Sequence, residues 1–255
     1  MAENKIMINR VIEKKAFLGS DVEIIIPFYG QQALVSNAIQ TIFQTVISNR
    51  YLITLVDDGS ENDSFKSQLE KARITGVRCL YQENKGFGSA VNLALQNPWK
   101  FENKADKIIP YVVIMHSDVS FYGRNWLLNL GTYLETMKSS GVKMVSPVTN
   151  NPVENFEFMR ARKGQILSDK VIDDEKFFLP LYCSLCHRDL FNHVGLIKEM
   201  PYASYEAQDY AKRMREKEFK QAVCGTSWVK HEGGSTLKAL GTKAIKILRN
   251  NKEEL

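Results

Sequence analysis

With 255 residues and 44% hydrophobic content, the chain can bury the core of one large domain or two small ones, which excludes a disordered protein. The net charge of +5 suits anionic ligands or an acidic membrane surface, but we expect no nucleic-acid partner because no dense basic segment occurs. We expect a cytoplasmic protein, since the four cysteines are scattered and neither a signal peptide nor an apolar window of membrane-spanning length is found.

The first 146 residues alternate between apolar runs and helical periodicity. Residues 1–20 carry mixed charge and predict an arm or a short helix. After them, β-branched runs predict strands, and apolar residues at helical spacing predict the helices between them. This alternation is typical of a right-handed, doubly wound, mainly parallel sheet flanked by helices. The predicted strands cover 22–26, 51–56, 77–81, 111–115 and 142–145, and the predicted helices cover 31–48, 62–75, a segment opened by 84–92, and 126–137.

The central strand delivers polar side chains to the carboxyl edge of the predicted sheet. Its apolar run, 111–115, leads directly into His116, Ser117 and Asp118. Open α/β sheets bind ligands at that edge, where a carboxylate beside a histidine could hold a divalent cation and, with it, a diphosphate. Taken alone, the three residues favour a polar turn, so the metal hypothesis depends on the rest of the chain.

Two other segments bring polar groups to the same edge. Asp57 and Asp58 follow the second strand and precede a turn at Gly59. The segment N-K-G-F-G-S-A-V-N at 84–92 opens a helix, where glycines permit close backbone approach and free N–H groups favour an anion. It matches neither the dinucleotide nor the phosphate-loop fingerprint, so the glycines alone are a weak signal.

The composition changes after residue 146. Residues 147–180 are rich in charged and loop-forming types and predict a long functional or mobile excursion rather than core. Cys183 and Cys186 form a C-x-x-C pair inside an apolar run, which favours a structural role over a zinc or redox site. Further strands are predicted over 177–186, 219–224 and 226–230, and further helices over 188–194 and 205–217.

Six motifs across residues 22–236 resemble, in their order, the inverting family-2 glycosyltransferases, especially rhamnosyltransferase-like members. They are I-I-I-P-F-Y at 24–29, V-D-D-G-S at 56–60, N-K-G-F-G-S-A-V-N at 84–92, M-H-S-D-V at 115–119, E-A-Q-D-Y-A-K-R-M-R at 206–215 and V-K-H-E-G-G-S-T at 229–236. The resemblance implies a Rossmann-like glycosyltransferase A-type fold. It also implies transfer of a sugar, such as rhamnose or a hexose, from a nucleoside-diphosphate donor to a hydroxyl acceptor with inversion.

The resemblance also implies a nucleotide site. In this family the turn after the first strand and the D-D-G-S carboxylates hold the base and ribose. An aromatic wall beside an acceptor carboxylate suits uracil or thymine, hence a UDP- or dTDP-sugar donor. A simple turn with Gly59 is the alternative for the two aspartates. The residues assigned to this site are Pro27, Phe28, Tyr29, Asp57, Asp58, Asn84, Lys85, Gly86 and Ser117.

A metal site follows from the same resemblance. The family's D-x-D motif corresponds to 116–118, where Asp118 keeps the second acid and His116 replaces the first. His231 matches a late histidine that completes the metal shell in several relatives, although a loop histidine that fixes a turn is the alternative. The implied cofactor is Mn²⁺ or Mg²⁺, and the histidine at position 116 shifts the preference towards Mn²⁺.

The catalytic base is the largest departure from the family. Family members use an aspartate in an E-D-x-D segment at a helix start, and Ala207 occupies that position here. Asp209, and after it Glu206, is the candidate to take the proton of the acceptor hydroxyl. Because Asp209 lies four residues before Arg213, a structural ion pair on one helix face is the alternative.

The chain is expected to comprise four segments. An arm at 1–20 precedes a nucleotide-sugar-binding half at 21–146 and an acceptor-binding and catalytic half of the same domain at 147–236. Residues 237–255 predict a basic amphipathic helix that could lie peripherally on an anionic membrane, although core packing or a dimer contact explains it equally well.

The expected acceptor is a hydroxyl of a glycan, a glycolipid or a protein-linked glycan, in glycan or polysaccharide synthesis. Two other functions stay open. A catalytically silent nucleotide-sugar-binding scaffold is compatible with Ala207, although the retained metal residues argue against it. A sugar nucleotidyltransferase would share the carboxylate geometry, but it should carry a basic glycine-rich loop where this chain has P-F-Y-G-Q-Q at 27–32.

Overall fold

The computed structural model describes residues 21–46, 51–61, 67, 76–99, 108–152, 156–200 and 205–234. The predicted arm at 1–20, the predicted helix over 62–75 apart from residue 67, and the predicted helix at 237–255 lie outside these residues. Among the described helices, none is long and apolar enough to span a bilayer.

Nine strands and five α-helices lie within the described residues, and those of the first half of the chain match predicted elements apart from the strand at 119–121. They are, in chain order, β1 (Val22–Phe28), α1 (Gln32–Thr45), β2 (Tyr51–Asp58), β3 (Val77–Gln82), α2 (Phe87–Gln96), β4 (Tyr111–Met115), β5 (Val119–Phe121), α3 (Trp126–Met137), β6 (Val142–Thr149), β7 (Lys170–Ile172), β8 (Cys183–His187), α4 (Leu190–Val194), α5 (Glu206–Glu216) and β9 (Lys220–His231).

All nine described strands belong to one sheet with the order β3-β2-β1-β4-β8-β6-β9-β5, and β7 pairs with β9 beside this path. β3, β2, β1 and β4 are parallel neighbours. β8 runs antiparallel between β4 and β6, whereas β6 and β9 are again parallel. The predicted α/β sheet is therefore confirmed, but its second half is mixed, because β8 separates β6 from β4.

The helices cover the sheet with their apolar sides. α1 buries Val35, Ala38 and Ile42 at helical spacing, and α2 packs against β1 and β2. α3 covers β6 and β9, and its first residue, Trp126, stacks on Phe121 of β5 with ring centroids 3.8 Å apart. The inner parallel strands β1 and β4 show no alternation of burial, since all seven residues of β1 and all five of β4 are buried, whereas β3 at the end of the sheet is half-buried throughout.

Parts of segment 147–180 belong to the core, so the prediction of an excursion outside it is wrong for those parts, whereas 162–166 and 173–176 are exposed. β6 continues to Thr149, and β7 pairs with β9. The turns between them bury Phe156 and Met159 at 3% and 0% exposure. The sequence pattern misses this because the buried residues come singly, between charged and loop-forming residues.

β9 is one strand of 12 residues, where the sequence predicts two. The pairing with β6 shifts register between Cys224 and Trp228, which explains the predicted break. At Gly225 the loop 161–169 crosses the strand so closely that a Cβ would lie 2.0 Å from the carbonyl oxygen of Leu167. A glycine is therefore required where the loop is fastened to the strand.

The C-x-x-C pair lies in β8, where Cys183 and Cys186 are both buried as free thiols. Burial raises the pKa of the Cys186 thiol to about 12 and that of Cys183 still further. Thiolates, the reactive form, are thus disfavoured at both positions. This environment supports the structural role expected from the sequence.

A buried ionic cluster lies near the amino ends of the parallel strands, opposite the edge where ligands bind in such sheets. Glu23 of β1 is 0% exposed, and its carboxylate accepts hydrogen bonds from Thr54 Oγ1 at 2.5 Å, Arg78 Nη2 at 3.0 Å and Arg188 Nη2. Arg188 also donates to the carbonyl oxygen of Ile109 at 3.0 Å. The cluster thus joins β1, β2 and β3 to the start of the second half of the chain.

We predict that Glu23→Gln lowers the free energy of unfolding by about 3–5 kcal/mol, because two largely buried guanidinium groups lose their shared counter-charge. Urea unfolding followed by circular dichroism measures the change. Glu157→Gln is the matched control, since it removes an exposed partner of Arg160, and exposed pairs contribute little. Equal midpoints for the two variants would contradict the prediction.

Candidate active site

The carboxyl ends of the parallel strands bring the sequence-predicted nucleotide residues together. Phe28, at the end of β1, is the register partner of Asp57 in β2, and Asp58 is the partner of Gln82 in β3. Pro27 and Phe28 are buried in the strand, whereas the adjacent Tyr29 is half-buried. Of these three residues, Tyr29 is the one with most surface available to a ligand.

Asp57 shapes the turn that follows β2. Its Oδ1 accepts a hydrogen bond from the backbone N–H of Ser60 at 2.8 Å, and Ser60 Oγ accepts one from the N–H of Gly30 at 2.7 Å. Gly59 between them has a φ of +82°, and a Cβ there would lie 2.7 Å from the backbone nitrogen of Asn84. The V-D-D-G-S turn is therefore bound to the turn after β1 and packed against segment 84–86.

Asp58 holds the start of α2. Its carboxylate accepts hydrogen bonds from Gln82 Nε2 at 2.7 Å and from the backbone N–H groups of Lys85 and Gly86, each at 2.9 Å. Burial raises the pKa of this carboxyl, and the three hydrogen bonds oppose that shift. Asp58 thus fixes the backbone around Gly86, while the side chains of Asn84 and Lys85 are exposed at the rim.

Three side chains converge beyond β4 and at the end of β9. Ligand atoms of His116, Asp118 and His231 all lie within 4.8 Å of one another. His231 Nε2 is 3.5 Å from Asp118 Oδ1, and both residues are under 10% exposed. Ser117, half-buried, lies between the first two in sequence. The structure therefore brings together the three residues that the sequence analysis assigned to a metal.

The orientation of His231 is suited to binding a cation. Its Nδ1 lies 3.0 Å from the carbonyl oxygen of Asn151, which can only accept, so the proton resides on Nδ1 when the ring is neutral. Nε2 then presents a lone pair towards Asp118 Oδ1, in a setting where it makes no hydrogen bond within the described residues. Two buried acceptors facing each other at 3.5 Å repel unless a cation or a proton lies between them.

His116 is held in its neutral form. Burial lowers its pKa to about 4, an effect that nearby His231 reinforces and Asp118 opposes. Its ring packs edge-on against Phe87, the first residue of α2, with centroids 4.9 Å apart. This contact connects the candidate metal group to the helix whose start Asp58 fixes.

The candidate ligand atoms of His116, Asp118 and His231 are spaced suitably for a divalent ion. With bonds of about 2.1 Å, ligand atoms around an octahedral ion lie about 3 Å apart when adjacent and about 4 Å apart when opposite. Separations within 4.8 Å reach this range after small side-chain movements. One carboxylate with two imidazoles favours Mn²⁺ over Mg²⁺, because Mg²⁺ prefers oxygen ligands.

The two candidate bases lie in the first turn of α5, in different settings. Asp209 Oδ2 accepts a hydrogen bond from Arg213 Nε at 2.8 Å, and it forms an ion pair with Arg213 Nη2 at the same distance. Arg213 also donates to the carbonyl oxygens of Val194 and Leu196 at 3.0 Å, so the pair anchors the segment after α4. Glu206 is 3% exposed, and Ala207 beside it packs against the core.

Three residues that contact His231 were missed by the sequence analysis. Asn150 hydrogen-bonds to the main chain of His231, Asn151 accepts from its ring, and the Tyr182 ring stacks on it with centroids 4.8 Å apart. Asn150 and Asn151 lie in segment 147–180, which the sequence analysis describes only as rich in charged and loop-forming residues. Contacts between a side chain and a distant main chain leave no periodic pattern, so the sequence alone could not assign them.

Comparisons with known proteins bear on the family and the fold of the chain. A search of curated protein sequences found no match. Among the solved structures that match is the mannosyltransferase PcManGT from Pyrobaculum calidifontis, in complex with GDP-Man and Mn²⁺. It superimposes with a TM-score of 0.62 at 13% identity, over 98% of this chain and 73% of its own, which shows that the two share a fold.

The sequence profile described as "Glycosyl transferase family 2" matches residues 23–195. The match covers β1 to α4 and includes His116 and Asp118, the turn at 57–60 and the start of α2. With the A-type fold and the cluster of acceptors at its ligand-binding edge, the match confirms the family assigned from the sequence motifs. The chain belongs to glycosyl transferase family 2.

Proposed function

We propose that this glycosyltransferase moves a sugar from a nucleoside-diphosphate donor to a hydroxyl acceptor with inversion, in a reaction that depends on a divalent metal. The observation that carries the proposal is the group of half-buried His116 with buried Asp118 and His231 beside the start of α2. Two neutral imidazoles and one carboxylate leave a bound divalent ion with net positive charge. That charge would be available to the diphosphate of a donor.

The residues around this group have separate roles in the proposal. Asp118 supplies the negative charge of the ion site, and the two histidines complete it without cancelling the charge of the ion. The exposed Lys85 lies at the rim, where its ammonium group can reach the diphosphate. Ser117, between the ligands in sequence, is proposed to contact the nucleotide.

The nucleotide base is proposed to lie against Tyr29, beside Asp57 at the end of β2. Pro27 and Phe28 support this position from within β1, and Asp58 supports it by fixing the backbone of Asn84–Gly86. We propose a UDP- or dTDP-sugar as donor. GDP-mannose is the third donor to test, because PcManGT was solved with it.

The acceptor base is proposed to be Glu206. The carboxylate of Asp209 is committed to Arg213, which fixes the main chain at 194 and 196, so its role is structural positioning. Glu206 is the other carboxylate in the first turn of α5, and this helix is where the family places its base. The acceptor is proposed to be a glycan, glycolipid or protein-linked hydroxyl in glycan or polysaccharide synthesis.

A catalytically silent nucleotide-sugar-binding protein is the second candidate, and Ala207 at the usual base position is the observation that favours it. Donor turnover separates the two. UDP-, dTDP- and GDP-sugars are incubated with Mn²⁺, with and without a panel of hydroxyl acceptors, and release of nucleoside diphosphate is measured. Turnover of one donor supports the transferase, tight binding without release under any condition supports the silent protein, and no binding contradicts both.

We predict that Asp118→Asn weakens Mn²⁺ binding at least about 100-fold and abolishes transfer, because the site loses its only charged ligand. Electron paramagnetic resonance of free Mn²⁺ measures the affinity. Asp173→Asn, at a carboxylate whose side chain is 71% exposed, is the matched control and should bind Mn²⁺ as the wild type does. Unchanged affinity in Asp118→Asn would contradict the assignment.

His116→Asp is predicted to shift the metal preference towards Mg²⁺. The substitution replaces an imidazole nitrogen with a carboxylate oxygen, the type of ligand that Mg²⁺ prefers. The ratio of activity with Mg²⁺ to activity with Mn²⁺ should rise about tenfold or more. An unchanged ratio in a variant that still binds Mn²⁺ would show that His116 is not a ligand.

For the base, we predict that Glu206→Gln lowers kcat by about 10²–10⁴ and leaves the KM for the donor nearly unchanged, as expected when a proton acceptor is removed. Asp209→Asn should instead lower thermal stability, because Arg213 loses its carboxylate partner. Both parameters are measured for both variants. A kcat loss of that size confined to Asp209→Asn would assign the base to Asp209.

A further inference from the structure

We propose that Asn150 is a positioning residue that holds His231 in the rotamer and tautomer that metal binding requires. The inference rests on the proposed function, since it concerns the metal group of that site. It adds a residue that matches none of the six motifs found in the sequence.

The side-chain amide of Asn150 binds the main chain of His231 on both sides. The N–H of His231 donates to Asn150 Oδ1 at 2.8 Å, and Asn150 Nδ2 donates to the carbonyl oxygen of His231 at 3.2 Å. Thr149, immediately before Asn150, is the register partner of Val229 at the end of the β6–β9 ladder. The amide thus continues the pattern of main-chain hydrogen bonds between β6 and β9 by one more pair, at His231, where β9 ends.

The orientation of the Asn150 amide is fixed by its partners. Oδ1 faces two donors, the N–H of His231 and the hydroxyl of Thr149 at 3.3 Å, and Nδ2 faces a carbonyl oxygen. The backbone of Asn150 is held as well, because its carbonyl oxygen accepts a hydrogen bond from Arg160 Nη1 at 3.1 Å. Asn150 is therefore held in place independently of His231, so it can fix the position of the His231 main chain.

Fixing the main chain of His231 also fixes the orientation of its imidazole ring. With the backbone of His231 in this position, Nδ1 reaches the carbonyl oxygen of Asn151, and Tyr182 covers one ring face at an interplanar angle of 19°. Nε2 is then the unprotonated nitrogen and points towards Asp118. Removing a partner that fixes the tautomer of a ligating histidine typically weakens metal binding by about 10–100-fold.

The inference is tested with Asn150→Ala and Asn150→Asp in the full chain. Asn150→Asp keeps the acceptor for the N–H of His231 and removes the donor to its carbonyl oxygen, so it remains informative if Asn150→Ala does not fold. The matched control is Asn129→Ala, which removes a 2.8 Å hydrogen bond from an asparagine amide to the Thr226 carbonyl oxygen in the same strand. It should leave the metal group unchanged.

Two readouts are measured at neutral pH. In the metal-free protein, long-range proton–nitrogen spectra of the imidazoles report the tautomer, and four histidines make assignment by His231→Asn feasible. The wild type and Asn129→Ala should show His231 protonated at Nδ1, whereas Asn150→Ala should show averaged tautomers and Asn150→Asp an intermediate pattern. The Mn²⁺ dissociation constant, measured by electron paramagnetic resonance, should rise about 10–100-fold in Asn150→Ala and less in Asn150→Asp.

The outcomes separate this inference from the proposed function. If the wild type binds Mn²⁺ and folded Asn150 variants keep both the wild-type tautomer and an affinity within twofold, the positioning role is wrong and the metal site stands. If the wild type binds no Mn²⁺, the proposed function fails, and the metal-free spectra still decide whether Asn150 orients His231. An altered tautomer in Asn129→Ala as well would also overturn the specific role of Asn150.

Discussion

The pairing of β5 with β9 is the contact on which the site depends. Val119 and His231 are register partners, and beyond them Asp118 receives hydrogen bonds from the next turn, with Glu232 N–H at 3.2 Å to its carbonyl and Gly233 N–H at 3.1 Å to its carboxylate. β5 has only three residues, yet it places the carboxylate that follows β4 against the histidine that ends β9. The rest of the mixed half of the sheet keeps β9 where this pairing can form.

Two buried polar clusters at opposite edges of the sheet follow different electrostatic rules. Around Glu23, a carboxylate is matched by two guanidinium groups and a hydroxyl, so its charge is compensated within the protein. Around Asp118, the neighbours are two imidazoles, and the nearest nitrogen of His231 is itself an acceptor. The first arrangement holds strands together, whereas the second brings the candidate ligand atoms of three side chains within 4.8 Å of one another.

The elements and the candidate metal residues could be located from the sequence because each leaves a local pattern. Apolar runs located β1, β2 and β4, helical spacing located α3 at its observed limits, and the H-S-D and K-H-E-G-G motifs located Asp118 and His231. The direction of β8 could not be predicted, since a buried strand reads the same when parallel or antiparallel. Asn150 was missed because its partner is a main chain some 80 residues away. For Asp209, four-residue spacing did predict the alternative that the structure shows, an ion pair with Arg213.

The insertion of β8 between β4 and β6 has a consequence for how the chain acquires its site. Asp118 and His231 are about 110 residues apart, and closing a loop of that length costs about 4 kcal/mol of chain entropy. In the sheet, β8 and β6 separate β9 from β4, so the position of β9 depends on two strands that follow β4 in the sequence. A nascent chain that has not yet completed β9 lacks His231, so His116, Asp118 and His231 cannot come together in it.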